Sequence, residues 1–225
     1  MDWDGGLAPS PAPPDIGSSA DRIAAQGFYV RVIKPVLDRV LGLILLIVTA
    51  PIMGLAALAV LIRMGRPVIY KQARVGLHGK PFEIYKLRTM APDRRVIQMP
   101  FNGQDRRRVH KSPNDPRVDS LGRILRAARL DELPQLWNVV RGDMSLIGPR
   151  PELPEIVKTY EPWEHQRHLV KPGITGPWQV SRSNGKLMRE CVDIDIRYVE
   201  RVSLWEDLSI LIRTPVAMFG SRKGY

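Results

Sequence analysis

Residues Val40 to Ile62 read VLGLILLIVTAPIMGLAALAVLI, a run of 23 residues without a charged side chain. As a straight helix it would measure ~35 Å, enough to cross a hydrocarbon core of ~30 Å. The plainest reading is one transmembrane helix. Two features complicate it. Pro51 sits mid-run, where it removes a backbone donor and crowds the preceding turn. Basic residues also flank both ends: Arg31, Lys34 and Arg39 before, Arg63, Arg66, Lys71 and Arg74 after. A charge bias orients a span only when its two sides differ. A helix that enters the membrane, breaks at Ala50-Pro51 and returns to the same face satisfies both features, with Thr49 able to serve a freed carbonyl. A proline-kinked spanning helix satisfies the first. From these residues alone both remain open.

Outside this run the chain has the length of one globular domain with a substantial core. Its 34 Lys and Arg against 23 Asp and Glu give a net charge of +11. That balance suits nucleic acid, anionic headgroups or phosphorylated small molecules, and composition does not choose among them. Cys191 is the one cysteine, which excludes an internal disulfide and suits a reducing compartment. No local motif marks it as a nucleophile, so it reads as a small packed residue. Residues 1–27, rich in Pro, Gly, Ala and Ser, read as a disordered tail rather than a secretory signal. Residues 28–66 form the membrane segment with its flanks, and residues 67–225 a second domain outside it.

Within that domain, Val68 to Lys71 and Phe82 to Lys86 alternate as strands of a short hairpin, with Gly76 and His78-Gly79 between them. Ala91 to Val118, with Pro92, Pro100, Pro113, Pro116 and the Arg106–Arg108 run, reads as a long loop. Ser120 to Arg129 is an expected helix with Ser120 as candidate N-cap and arginines 123, 126 and 129 along one face. A second helix is expected from Asp131, as N-cap, to Arg141. Pro134 falls in its first turn, Gly142 follows it, and Leu133, Leu136, Trp137 and Val140 form its apolar face. Gly148 to Pro151 is a stiff loop presenting Arg150. Glu152 to Leu169 reads as a helical stretch interrupted at Pro162, and Lys171 to Val180 as a constrained loop leading into extended chain. Leu204 to Arg213 is an amphipathic helix fit for the core or a membrane surface. The expected class is mixed α+β, mainly helical.

Asp131 and Glu132 are the chemically informative pair. An acid at a helix start commonly serves only as a cap or dipole partner. The same place also attracts phosphate, and an ionised Asp can attack phosphorus to form an aspartyl phosphate. A neighbouring Glu can help hold Mg²⁺, which takes oxygen ligands. Arg126 and Arg150 suit phosphate oxygens bidentately, although a single arginine more commonly pairs with a surface acid. His78, His165 and His168 form no strong metal pattern.

The ordered blocks resemble the monotopic phosphoglycosyl transferases, the bacterial sugar transferase family that starts glycoconjugate assembly on a polyprenol phosphate. Lys34-Pro-Val-Leu-Asp38 precedes the Ala50-Pro51 run, and Phe82 to Met90 reads FEIYKLRTM. Then come Leu130 to Val139 (LDELPQLWNV), Gly142 to Pro151 (GDMSLIGPRP), Lys171 to Gly176 (KPGITG), Asp195 to Tyr198 (DIRY) and Ser203 to Leu208 (SLWEDL). The resemblance covers roughly residues 29 to 215. It implies a monotopic membrane protein with a proline-broken re-entrant helix at Ala50-Pro51 and interfacial amphipathic helices. It also implies Asp131 as nucleophile and a catalytic, Mg²⁺-binding dyad of Asp131 and Glu132. Arg126, Arg150 and Asp207 match positions near the phosphate site, and Lys86 and Arg88 lie in a matching basic block.

By the same resemblance the substrates are a UDP-sugar and undecaprenyl phosphate. The enzyme would lie at the bacterial inner membrane with its catalytic domain on the cytoplasmic face. Membrane lipids are expected partners, nucleic acid is not, and a homodimer is left open. The chain resembles the short catalytic form, without the extra multi-helix membrane domain of larger members. Two departures stand out. Pro35 follows Lys34 where the family has Lys-Arg. After Trp178-Gln-Val180 the usual Gly-Arg pair is replaced by Ser181-Arg182-Ser183-Asn184-Gly185, so Arg182 stands in for that arginine one position early. Two rival readings of the chain are a membrane-anchored basic binding module and a nucleotide-sugar hydrolase.

Overall fold

A computed structural model describes residues 27–90, 118–181 and 188–220. The expected tail, the 91–117 loop with its arginine run, and Arg182 lie outside the described residues. The rest is mostly helical with two small two-stranded sheets.

A π-helical turn, Tyr29–Ile33, leads into helix α1, Lys34–Met64. Helical backbone runs unbroken through Ala50 and Pro51, where the sequence suggested an interruption. Proline deletes one amide donor and bends a helix without having to unwind it. Thr49 donates its hydroxyl to the Leu45 carbonyl at 2.7 Å. This is not the Ile47 carbonyl that Pro51 leaves unserved, because helical bonds run from residue i to i−4. The middle of α1 is exposed and apolar: Leu43, Ile47, Val48 and Leu55 all face outward.

Both ends of α1 dock on one and the same domain. On the first arm Lys34, Asp38 and Gly42 are buried; on the second, Ala56 and Val60. Gly42 is needed for close approach, since a Cβ there would lie 2.9 Å from Val139 Cγ1. Asp38 accepts from the Leu146 amide at 3.1 Å. Ala56 and Val60 pack with Leu87 and Leu125.

Strands β1 (Ile69–Val75) and β2 (Pro81–Leu87) form the antiparallel hairpin, with Tyr70 opposite Lys86. Each is longer than the alternation suggested. Helix α2 (Ser120–Ala127) is capped by Asp119, whose Oδ1 accepts from the Gly122 amide at 2.8 Å. Ser120 is therefore the first helical residue rather than the cap. Helix α3 spans only Gln135–Arg141. Its buried face is Gln135, Leu136, Asn138 and Val139, while Trp137 points outward. Asn138 locks α3 to the hairpin: its amide donates to Glu83 O at 2.7 Å and accepts from Tyr85 N at 3.2 Å. Gly142 closes α3 with φ 88°, a left-handed turn that glycine adopts without steric cost.

Strand β3 (Ser145–Ile147) pairs in parallel with β4 (Gly173–Thr175), Ser145 opposite Gly173. Between them lie helix α4 (Pro154–Val157) and a 3₁₀ stretch, Pro162–Leu169, so the helical stretch is interrupted before Pro162, as expected, and its second piece is 3₁₀. His165 and His168 pack on Tyr160, with ring centroids 5.7 and 6.0 Å from it. Helix α5 (Pro177–Val180), a 3₁₀ turn at Met188–Cys191, helix α6 (Val192–Arg201) and helix α7 (Leu204–Gly220) complete the fold. Cys191 is buried, as a packed residue should be. At the centre, Arg167 (1 % exposed) pairs with fully buried Asp195 at 2.5 Å.

Candidate active site

Asp131 and Glu132 sit in a 3₁₀ turn, Leu130–Glu132, not at the cap of an α-helix. The cause is Pro134. Lacking an amide, it cannot make the i→i−4 bond to Leu130 O, and the Leu133 amide takes that carbonyl instead at 3.3 Å. Arg129, at φ 56°, turns the chain from α2 into this segment. A left-handed arginine is uncommon and reports a tight local constraint.

The two acids face different surroundings. Glu132 Oε1 accepts from Lys86 Nζ at 2.7 Å and from an Arg150 amino group at 3.0 Å. Among the described residues its Oε2 has only Arg129, at 3.7 Å. Burial alone would raise the Glu132 carboxyl, but the Lys86 and Arg150 charges hold it well below the usual carboxylate range. Asp131 is 9 % exposed. It takes no hydrogen bond or ion pair from the described residues. Burial, reinforced by the Glu132 charge, pushes its carboxyl upward, while Lys86, Arg126 and Arg129 pull it back. Burial also draws the Lys86 ammonium below its usual range, against the pull of Glu132. The result is one locked, ionised carboxylate beside one uncommitted carboxylate in a ring of cations.

Short links hold that ring. Lys86 projects from β2, and Arg126 on α2 is oriented by its Nε donating to Thr89 Oγ1 at 2.9 Å. Arg150 follows β3, and its backbone carbonyl accepts from buried Arg167 at 2.9 Å. Of the residues singled out from sequence, Asp131, Glu132, Lys86, Arg126 and Arg150 converge. Arg88 does not join them. Its guanidinium turns away to the carbonyls of Met64, Gly65 (2.6 Å) and Arg66 (3.2 Å), satisfying the orphan acceptors at the end of α1. Asp207 belongs to a separate buried cluster, bonded to Lys34 Nζ at 2.6 Å, Tyr29 Oη at 2.7 Å and Tyr198 Oη at 2.6 Å. It anchors the start of α1. Two contributors were not recognised in advance. Arg129 was visible only as part of an arginine face, and its role depends on the left-handed turn. Arg167 carries no sequence signal, because only the fold brings it under Arg150.

Two adjacent carboxylates are a small donor set for a cation, and no group of three or more metal-binding side chains occurs among the described residues. They fit Mg²⁺, which commonly takes one or two carboxylates and completes its shell with phosphates and water. Asp131 is free to ligate, and Glu132 Oε2 is only loosely held.

Residues 29–221 match the family model described as bacterial sugar transferase. The chain is 41 % identical over 200 residues to a UDP-glucose:undecaprenyl-phosphate glucose-1-phosphate transferase of Caulobacter vibrioides, covering 85 % of this chain and 72 % of that one. It is 38 % identical over 183 residues to the uncharacterized sugar transferase EpsL of Bacillus subtilis, covering 81 % and 85 % respectively. An undecaprenyl-phosphate galactose phosphotransferase of Salmonella typhimurium is 38 % identical over 190 residues, which are 82 % of this chain and 40 % of that protein. The chain belongs to the bacterial sugar transferase family and is a phosphoglycosyl transferase.

Proposed function

We propose that this enzyme transfers a sugar 1-phosphate from a UDP-sugar to undecaprenyl phosphate in two displacements, as the first membrane step of glycoconjugate or exopolysaccharide assembly. An Asp131 oxygen attacks the β-phosphorus of the donor. The bond from that phosphorus to the bridging oxygen breaks, and UMP leaves with it. An aspartyl phosphosugar remains. A phosphate oxygen of the lipid then attacks the same phosphorus, freeing Asp131 and forming the diphosphate-linked sugar. The observation that carries this reading is the contrast within the dyad: Asp131 is buried yet unpaired, while Glu132 beside it is held by Lys86 and Arg150. Arg126, Arg129 and Arg150 supply charge for the diphosphate, where positioning and electrostatics dominate catalysis. Mg²⁺ would be held by Asp131 and Glu132, and when bound it neutralises phosphate charge.

The docking of both α1 arms on one domain supports a re-entrant helix, since the ends of a spanning helix would lie on opposite faces of the bilayer. Basic residues at both ends suit two ends on the cytoplasmic side of the inner membrane. The enzyme would then meet its soluble donor and its lipid acceptor at the interface. The test is UMP release from a panel of UDP-sugars with and without undecaprenyl phosphate, together with intact mass of the protein incubated with donor alone. Lipid-dependent UMP release and a mass gain of one phosphosugar, both lost in Asp131→Asn, are expected. Release or mass gain that survives in Asp131→Asn would overturn the nucleophile. Lipid-independent turnover would overturn the transfer.

A further inference from the structure

Helices α5, α6 and α7 border an open pocket of about 330 Å³ that shares no lining residue with the Asp131–Glu132 site. Arg197 and Arg201 on α6 and Arg213 on α7 line it, against the single carboxylate of Glu206. Their spacings explain the convergence: 197 and 201 are four apart on one helix, 206 and 213 seven apart on the next. Arg197 is engaged by Asp193. Arg201 and Arg213 have no hydrogen bond or ion pair among the described residues. Two uncommitted arginines lining one cavity suit a phosphate, since guanidinium matches phosphate oxygens bidentately.

The opposite side of α7 says where that phosphate comes from. Leu204, Trp205, Leu208, Leu211, Ile212 and Val216 are exposed there, Trp205 at 77 %. A helix with such a face lies in the interface, its apolar side at the acyl boundary. The pocket side then lies about one helix diameter, ~10 Å, higher, at the level of lipid headgroups. We propose that this pocket binds the headgroup phosphate of an anionic phospholipid such as phosphatidylglycerol, with Arg201 and Arg213 as its ligands. The pocket is large enough for a glycerol phosphate. It would fix the rotation and depth of α7 in anionic membrane independently of substrate.

Native mass spectrometry of the full chain in mixed micelles tests this without using activity. Phosphatidylglycerol and phosphatidylcholine with identical acyl chains are supplied together, so that acyl contacts cancel. The wild type should retain one phosphatidylglycerol with a preference of roughly tenfold or more. Arg201→Gln/Arg213→Gln should bring the two lipids to near parity, and Arg201→Lys/Arg213→Lys should restore part of the preference. Equal retention by the wild type, or an unchanged preference in the glutamine variant, would overturn the proposal. Displacement of the lipid by millimolar inorganic phosphate would also overturn it, assigning the pocket to a soluble anion. Arg201 and Arg213 are both exposed, so these variants should keep the fold.

Discussion

Arg167 and Asp195 offer the sharpest test of how the site is held. Their side chains are 1 % and 0 % exposed and 2.5 Å apart. Arg167 also donates to Tyr160 Oη at 2.6 Å and to Arg150 O at 2.9 Å, which ties the pair to a cation of the site. Asp195→Leu strands a buried guanidinium, and Arg167→Met strands a buried carboxylate. Breaking such a pair from one side costs about 3–5 kcal/mol. At ~2–4 °C per kcal/mol for a domain of this size, each single variant should lower Tm by roughly 10 °C. The pair itself is imperfectly satisfied, since Asp195 Oδ1 and Arg167 Nε have no partner among the described residues. Removing both charges together should therefore recover most of the loss, leaving the double variant within about 2 kcal/mol of wild type. The assay is thermal unfolding of wild type, both single variants and the double variant in the same lipid nanodiscs. Additive losses in the double variant, or single losses below about 3 °C, would refute the reasoning.

Asp131→Asn should abolish transfer yet leave Tm equal or higher. Its carboxyl is raised in the folded state, so ionisation above the ordinary carboxylate range subtracts stability that asparagine restores. Glu132→Gln should do the reverse to stability. A depressed carboxyl contributes above its unfolded pKa, so at neutral pH the variant should lose about 2 kcal/mol, an amount that shrinks as pH falls through the acid range. The acid limb of kcat/KM should lie above the ordinary Asp value of about 3.9 and move to lower pH in Glu132→Gln, because the Glu132 charge raises Asp131. Arg88→Met should lower Tm, with a loss of about 1–3 kcal/mol, while leaving KM for the UDP-sugar within twofold; a large KM rise without a Tm change would return Arg88 to the substrate.

Local pattern made the hairpin, α1 and the dyad legible, because each is written in contiguous residues: alternation at 68–71 and 82–86, an uncharged run at 40–62, two adjacent acids. The β3–β4 sheet was not legible. Its strands have three residues each, too short for a period, and their pairing joins positions 28 residues apart, as Ser145 with Gly173 shows. Capping was misread by one residue at Ser120, because Asp119 and Ser120 are both good caps and geometry chose the acid. Arg88 parts from Lys86 for a deeper reason. Lys86 and Arg88 fall on the same face of a strand by alternation, yet β2 ends at Leu87. The chain then departs from the strand, and Arg88 answers to the end of α1 instead of to the dyad.

That departure shows how the membrane helix and the chemistry are coupled. Three consecutive residues serve three purposes: Lys86 binds Glu132, Leu87 packs on Val60 of the second arm, and Arg88 caps the carbonyls where that arm ends. The first arm is tied in the same way, because Asp38 holds the Leu146 amide on β3, four residues before Arg150 reaches Glu132. Of the two cations that lock Glu132, Lys86 therefore sits on a strand and Arg150 three residues past one, and each strand is fastened directly to one arm of α1. A displacement of either arm would be transmitted within a few bonds to Lys86 or Arg150. The dyad is thereby held at a fixed height relative to the apolar helix, as the proposed transfer from a soluble donor to a lipid acceptor requires.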